Sequence, residues 1–216
     1  MITPTDSKSS GLVAGFDDKL RVARVLLAEP EHYRERISDE EWQYACTLDG
    51  KRRIEHVAGR VAARAALCAL VGSSAPDLGV VIARAEDGAP EIRGMAAPPL
   101  LSISHGHSAA VAAVGYVGAL GIDLCDHEDA LRVRRVALRF MRPEETALAN
   151  KGGVARWASL WALKEAGAKA LHQGLLEGGL RATSLASIEP AVFRWPTFVA
   201  SVIPSAHDVV AVVYQH

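Results

Sequence analysis

Several protein classes are excluded by what the chain has little of. It holds only three cysteines, Cys46, Cys68 and Cys125, with no C-x-x-C pair. An odd, unclustered set argues against a disulfide scaffold and for a reducing compartment. Charge of one sign is lacking too. The 24 Lys and Arg against 25 Asp and Glu leave a net charge of −1. No global field favours nucleic acid or a membrane surface, so any anion binding must come from local clusters. No apolar run reaches membrane length, and the first residues carry no basic-then-apolar signal region. The expected location is therefore cytoplasmic, with no nucleic acid and no membrane as partner. Aromatic residues make up only 6% of the chain. Alanine is abundant, so helices and small-residue packing are expected to carry much of the core.

What is present is ordinary for a soluble globular protein. Half of the 216 residues are hydrophobic and 23% are charged. That length fits one large domain or two small ones. Met1 to Gly15 is polar and reads as a loose lead-in. Leu20–Ala28 reads as a strand, interrupted by Pro30. Ser38-Asp39-Glu40-Glu41 is a capping-box signature, with Ser38 as N-cap and Glu41 three residues on. The helix it opens is expected to end near Gly50. Lys51–Val71 reads as a long helix stopped by Gly72. Val80–Ala85, the Asp87-Gly88 turn and Glu91–Arg93 suggest a hairpin. Ala109–Tyr116 and Ala119–Leu124 read as two buried strands joined by a tight Val117-Gly118 turn. Asp129–Phe140 is an Arg-rich amphipathic helix, and Pro143 fits the first position of the next. Lys151-Gly152-Gly153 reads as a flexible link, and Thr197–Ile203 with Val209–Tyr214 as a closing hairpin. No residue-level repeat is visible between the two halves.

Four stretches carry candidate chemistry. In Trp161-Ala162-Leu163-Lys164-Glu165-Ala166-Gly167-Ala168-Lys169, helical spacing puts Trp161, Glu165 and Lys169 on one stripe, with Lys164 flanking it. A carboxylate can hold a hard cation there, and the lysines can hold phosphate oxygens. On this stretch alone, a solvated helix with an i,i+4 Glu–Lys pair fits as well. Gly121-Ile122-Asp123-Leu124 follows an apolar run and places Asp123 at the end of a strand. A buried acid needs a partner for its charge, and a cation shared with Glu165 is one. Ser102-Ile103-Ser104-His105 ends another apolar run; a lone histidine is more often structural than a ligand. Gly59-Arg60 and Arg64 lie on a basic helix, with Arg53, Arg60 and Arg64 on roughly one face. A solvated basic face is the alternative.

In this order, the four stretches resemble the 4′-phosphopantetheinyl transferases of the larger, Sfp-like class. Their W-x-x-K-E-[AS]-x-x-K helix matches at Trp161 to Lys169. Four of five positions of their G-[IV]-D-[IVL]-E strand match at Gly121 to Leu124. The S-x-S-H segment and the G-R-x-A-[AR]-R helix match at Ser102 to His105 and Gly59 to Arg64. The resemblance spans roughly Ser38 to Leu171.

The resemblance implies an α+β fold, a pseudo-two-fold pair of similar α+β subdomains with the active site between them. The division falls near Tyr116: a lead-in at 1–15, an N-terminal subdomain at 16–116, and a C-terminal subdomain at 117–216 carrying the metal-binding motifs. It implies a monomer that moves 4′-phosphopantetheine from coenzyme A to a serine of an apo acyl or peptidyl carrier protein, releasing 3′,5′-ADP. Mg²⁺, or Mn²⁺, would be held by Asp123 and Glu165. Catalysis would fall to Asp123, Glu165 and Lys169, with Glu165 the candidate proton acceptor. Coenzyme A would be bound by Arg53, Arg60, Arg64, Ser104, His105, Lys164 and Lys169. Arg132, Arg134, Arg135 and Arg139 would offer a docking face to an acidic carrier protein.

Two positions depart from the family. Ala89 stands where Gly-Lys-Pro is frequent, and Cys125 stands where a third metal-binding Glu is usual. A thiolate suits a hard cation poorly. The site then runs on Asp123, Glu165 and waters, or Asp126 reaches in through a shifted backbone, or activity is lost. The last leaves a coenzyme A or carrier-protein binding homologue as the alternative function.

Overall fold

The computed structural model describes residues 11–16, 18–73, 79–173 and 178–216. The elements fall into two compact units, Met1–Val117 and Gly118–His216. Residues 1–10 of the expected lead-in lie outside the described residues. Residues 11–15 are not loose: Gly11–Phe16 forms β1, paired antiparallel with β2, Leu20–Leu26.

In the first unit a short 3-10 turn over Pro30–Arg36 follows β2. Next come α1, Asp39–Cys46, and α2, Gly50–Val71. The Ser38 hydroxyl accepts from Glu41 N, and the Glu41 carboxylate accepts from Ser38 N. This is the capping box that the sequence announces, worth about 1 kcal/mol. Then follow β3, Val81–Arg84, β4, Pro90–Arg93, β5, Leu100–His105, and β6, Ala109–Gly115. One antiparallel sheet runs in the order β1-β2-β6-β5, and β3 pairs with β4. The stripe Val57, Val61 and Ala62 of α2 is buried in one cluster with Ala23, Val25, Ala110 and Ala112 of the sheet.

The second unit begins with β7, Ala119–Asp126. It continues with α3, Ala130–Phe140, α4, Pro143–Asn150, and α5, Gly153–Ala170. After a short helical segment at Leu180–Ala182 come β8, Ser184–Ser187, β9, Val192–Trp195, β10, Val199–Pro204, and β11, Asp208–Gln215. The sheet order is β10-β11-β7, with β8 and β9 as a separate hairpin. Leu160, Leu163 and Ala166 of α5 cluster with Val209, Ala211 and Val213 of β11. Thus strand, helices, long helix, hairpin, hairpin recurs in each unit. In both sheets the last strand of the unit lies between its hairpin partner and the strand that precedes the helices (β2-β6-β5 and β7-β11-β10).

Two further expectations need correcting, and one hairpin is additional to them. β6 and β7 are not partners, because each pairs within its own sheet. Gly153 opens α5 rather than lying in a link. The β8–β9 hairpin was not foreseen, because its alternation is weak and two Pro residues, Pro190 and Pro196, flank β9. Among the described residues, no helix is long and apolar enough to cross a membrane.

Candidate functional site

In the second unit α5 lies on β7 at unusually close range. A Cβ on Gly121 would come within 1.9 Å of the Ala166 carbonyl oxygen. Only glycine permits that approach. Strand alternation then puts Asp123 and Cys125 on the same face as Gly121, toward α5. Asp123 therefore lies inside β7, not at its end, and is only 3% exposed.

Above it stands the helical stripe. The indole N–H of Trp161 donates to Glu165, and Glu165 also shares a hydrogen bond with Asp123. Lys169 Nζ donates to Asp123 Oδ1 at 2.7 Å and to the Ile122 carbonyl at 3.0 Å. Burial, then the Asp123 charge, pushes Glu165 up to about 8, with Lys169 opposing. Two carboxylates on one proton, with one lysine beside them, form a group that a divalent cation would complete. Oxygen-only ligands suit Mg²⁺. The residues therefore fit that ion on Asp123 and Glu165.

Cys125 does not join them. It is 5% exposed and packs with the core. Burial, reinforced by the neighbouring carboxylates, raises its thiol far above the usual range, so it stays protonated. Its Sγ donates to the Asp126 carbonyl at 3.7 Å. Asp126 does not substitute for it. The β7–β11 register runs unbroken from Ala119 to Asp126, so Asp126 faces away from Asp123.

The first unit holds a cavity of about 530 Å³, lined by Arg52, Glu55, His56, Arg60, Arg84 and His105 among others. A smaller one of about 180 Å³ shares Tyr44, His56, Arg60 and Arg84 with it. α2 supplies Arg52, Glu55, His56 and Arg60. It packs so closely on β5 that a Cβ on Gly59 would stand 3.0 Å from Ile103 Cγ2. Glu55 is engaged by Lys51 at 3.3 Å and by His105 Nδ1 at 3.4 Å. Burial, then the charges of Arg60 and Arg84, pushes His56 down to about 3, so its ring is neutral at pH 7. Burial lowers Arg60 to about 10, which leaves it cationic. The cavity is thus cationic with its one lining carboxylate paired, a fit for a phosphorylated ligand.

Residues 119–208 match the 4′-phosphopantetheinyl transferase superfamily, and residues 40–115 match the 4′-phosphopantetheinyl transferase N-terminal domain. Together the two matches take in most of the chain. The chain belongs to the 4′-phosphopantetheinyl transferase superfamily. No curated protein matches it. Among solved structures it is similar to a holo-(acyl-carrier-protein) synthase from Bacillus anthracis str. Ames in complex with CoA (3′,5′-ADP). The identity is 27%, covering 44% of this chain and 92% of that one, with a TM-score of 0.39.

The transferase helix and strand motifs bring Trp161, Glu165, Lys169 and Asp123 together. Lys164 is turned away from them. Its side chain is fully buried, donating to Glu145 Oε1 at 2.9 Å and to the Thr183 carbonyl. Arg64 is likewise internal: it forms a two-pronged pair with Glu41, at 2.9 and 3.0 Å, and donates to the Val80 carbonyl at 2.7 Å. Arg60 stays at the cavity but donates to the Ile82 and Ala83 carbonyls, both at 3.3 Å. Arg53 lies over the Trp42 ring and pairs with Glu31 at 3.1 Å, outside both cavities. Ser104 is on the face of β5 opposite to Ile103 and His105, so it does not line the cavity.

Arg52, His56 and Arg84 are cavity residues that the sequence reading missed. For the first two a signal existed: Arg52, Glu55, His56 and Arg60 share helical spacing. Arg84 comes from β3 and carried no signal. Glu145 was missed too; its signal was Pro143 followed two residues on by an acid at the third helical position.

Proposed function

We propose that this chain transfers 4′-phosphopantetheine from coenzyme A to a serine of an apo acyl or peptidyl carrier protein, releasing 3′,5′-ADP. The observation that carries the reading is buried Asp123 hydrogen-bonded to half-buried Glu165, with Lys169 against it, set by α5 on β7. Matches over both units within one chain support the larger, Sfp-like class acting as a monomer.

The serine oxygen attacks the phosphorus that bears the pantetheine arm. The bond from that phosphorus to the bridging oxygen breaks, and the leaving phosphate stays with the nucleotide. Mg²⁺ bound at Asp123 and Glu165 would neutralise pyrophosphate charge. With that ion bound, Glu165 would be held as the carboxylate and would take the serine proton. Lys169 holds Asp123 in place and is 27% exposed, open enough to meet a phosphate oxygen. His105, half exposed at the cavity mouth, and Arg60 would position the nucleotide end.

On α3 the guanidinium-bearing Arg132, Arg134, Arg135 and Arg139 are exposed, with Leu131 62% exposed among them. An apolar residue ringed by cations suits the acidic surface of a carrier protein. Cys125 at the third-ligand position favours a second reading, a homologue that binds coenzyme A without turnover. Intact mass of an apo carrier protein after incubation with this chain, coenzyme A and Mg²⁺ decides between them. Gain of one phosphopantetheine arm, blocked by EDTA, is expected. Coenzyme A binding without that gain across several carriers would favour the second reading.

A further inference from the structure

The face of β7 that meets α5 carries Gly121, Asp123 and Cys125 at successive positions. Only the middle one offers carboxylate oxygen. α5 adds Glu165, which shares a hydrogen bond with Asp123. The next acid on β7, Asp126, stands on the opposite face. Cys125 lies in one cluster with Ala130 and Val133 of α3, and its Sγ is turned to the Asp126 carbonyl at 3.7 Å. The ligand atoms of Asp123, Cys125 and Glu165 do not all come within 4.8 Å of one another. Asp123 is also shared with a fixed cation, because Lys169 Nζ stands 2.7 Å from its Oδ1. Mg²⁺ and ions like it want an octahedron of oxygens, and are held by one or two carboxylates together with water and substrate phosphates. Two carboxylates, one of them shared with an ammonium, leave most of that shell to be filled from outside the chain.

We propose that Cys125 makes this site load its divalent ion together with coenzyme A rather than ahead of it. With no oxygen at position 125, the chain alone holds the ion weakly, and the pyrophosphate oxygens complete what the chain leaves open. This rests on the coenzyme A reading above, in which the ion at Asp123 and Glu165 meets that pyrophosphate. The dependence runs both ways: coenzyme A tightens the ion and the ion tightens coenzyme A by the same factor, roughly tenfold to a hundredfold.

Mn²⁺ is the probe, because electron paramagnetic resonance counts its free form. The full chain is titrated with Mn²⁺ with and without saturating coenzyme A, corrected for the ion that coenzyme A holds by itself. Wild type is expected to bind Mn²⁺ weakly alone and roughly tenfold or more tightly with coenzyme A. Cys125→Glu should bind Mn²⁺ alone about tenfold more tightly than wild type, and so load without coenzyme A. Cys125→Ala should match wild type in both titrations, and it carries the test where Cys125→Glu fails to fold. The proposal is overturned by wild-type Mn²⁺ affinity that ignores coenzyme A, by a folded Cys125→Glu that matches wild type, or by loss of Mn²⁺ binding in Cys125→Ala. Coupled binding in a protein that loads no carrier supports the proposal and overturns the transfer reading alone. Carrier loading with uncoupled Mn²⁺ binding does the reverse.

Discussion

Glu145 and Lys164 form an ion pair in which neither side chain is exposed. Glu145 is the third residue of α4. Its carboxylate takes Arg142 N in a capping interaction, Leu185 N of β8, and the ammonium of α5. Lys164 also donates to the Thr183 carbonyl, two residues before Leu185. Glu41 repeats every part of this in the first unit. It is the third residue of α1, takes Ser38 N and Ile82 N, and pairs with Arg64, which donates to the Val80 carbonyl two residues before Ile82. Each lock joins a short helix, the long helix and the outer hairpin of its unit.

Lys164→Ala should therefore cost stability first. Removing one partner leaves a buried carboxylate unpaired, at about 3–5 kcal/mol. Denaturant unfolding should show that loss, while the KM for coenzyme A of the protein that remains folded changes little. A raised KM with normal stability would return Lys164 to the phosphate.

Asp123→Ala and Glu165→Ala should each abolish transfer, by a hundredfold or more, without unfolding the protein. Intact-mass rates of carrier loading check this. Near-normal turnover by either variant would remove it from the machinery.

In the metal-free protein the raised pKa of Glu165 has a definite sign. Between about 4.5 and about 8 the folded state keeps a proton that the unfolded state has lost. Stability contributed by this group is full below the lower value and falls as pH rises to the upper one. Urea midpoints measured in EDTA across that range should decline, and Glu165→Gln should flatten the decline. An unchanged slope in Glu165→Gln would place the titration elsewhere.

Cys125→Glu adds a third acid to a buried face that already holds two. The melting temperature in EDTA should fall, and Mg²⁺ should raise it further than in wild type. Equal Mg²⁺ shifts in both proteins would show that position 125 does not reach the ion.

Gly121→Ala should be among the most damaging single changes in the second unit. Its Cβ collides with backbone of α5, which no side-chain rotation relieves. Loss of cooperative thermal unfolding, or loss of Mg²⁺-induced stabilisation, is expected, and a wild-type melting curve would contradict the close packing.

The capping box at Ser38, the long helices and the closing hairpin were readable because each rests on neighbours in sequence. The stripe of Trp161, Glu165 and Lys169 was readable for the same reason. The repeated lock was not. Glu41 meets Arg64 across 23 positions and Glu145 meets Lys164 across 19, with different cations and different N-caps, so no shared motif marks them.

The sequence by itself determined which residue types stand one helical turn apart, and with them the family and the shared stripe of Trp161, Glu165 and Lys169. Only the tertiary structure decided which charges remain available. Burial makes an unpaired charge costly, so Lys164 and Arg64 are held inside by carboxylates far along the chain, and Cys125 stays a thiol. Arg84, the last residue of β3, is left lining the cavity.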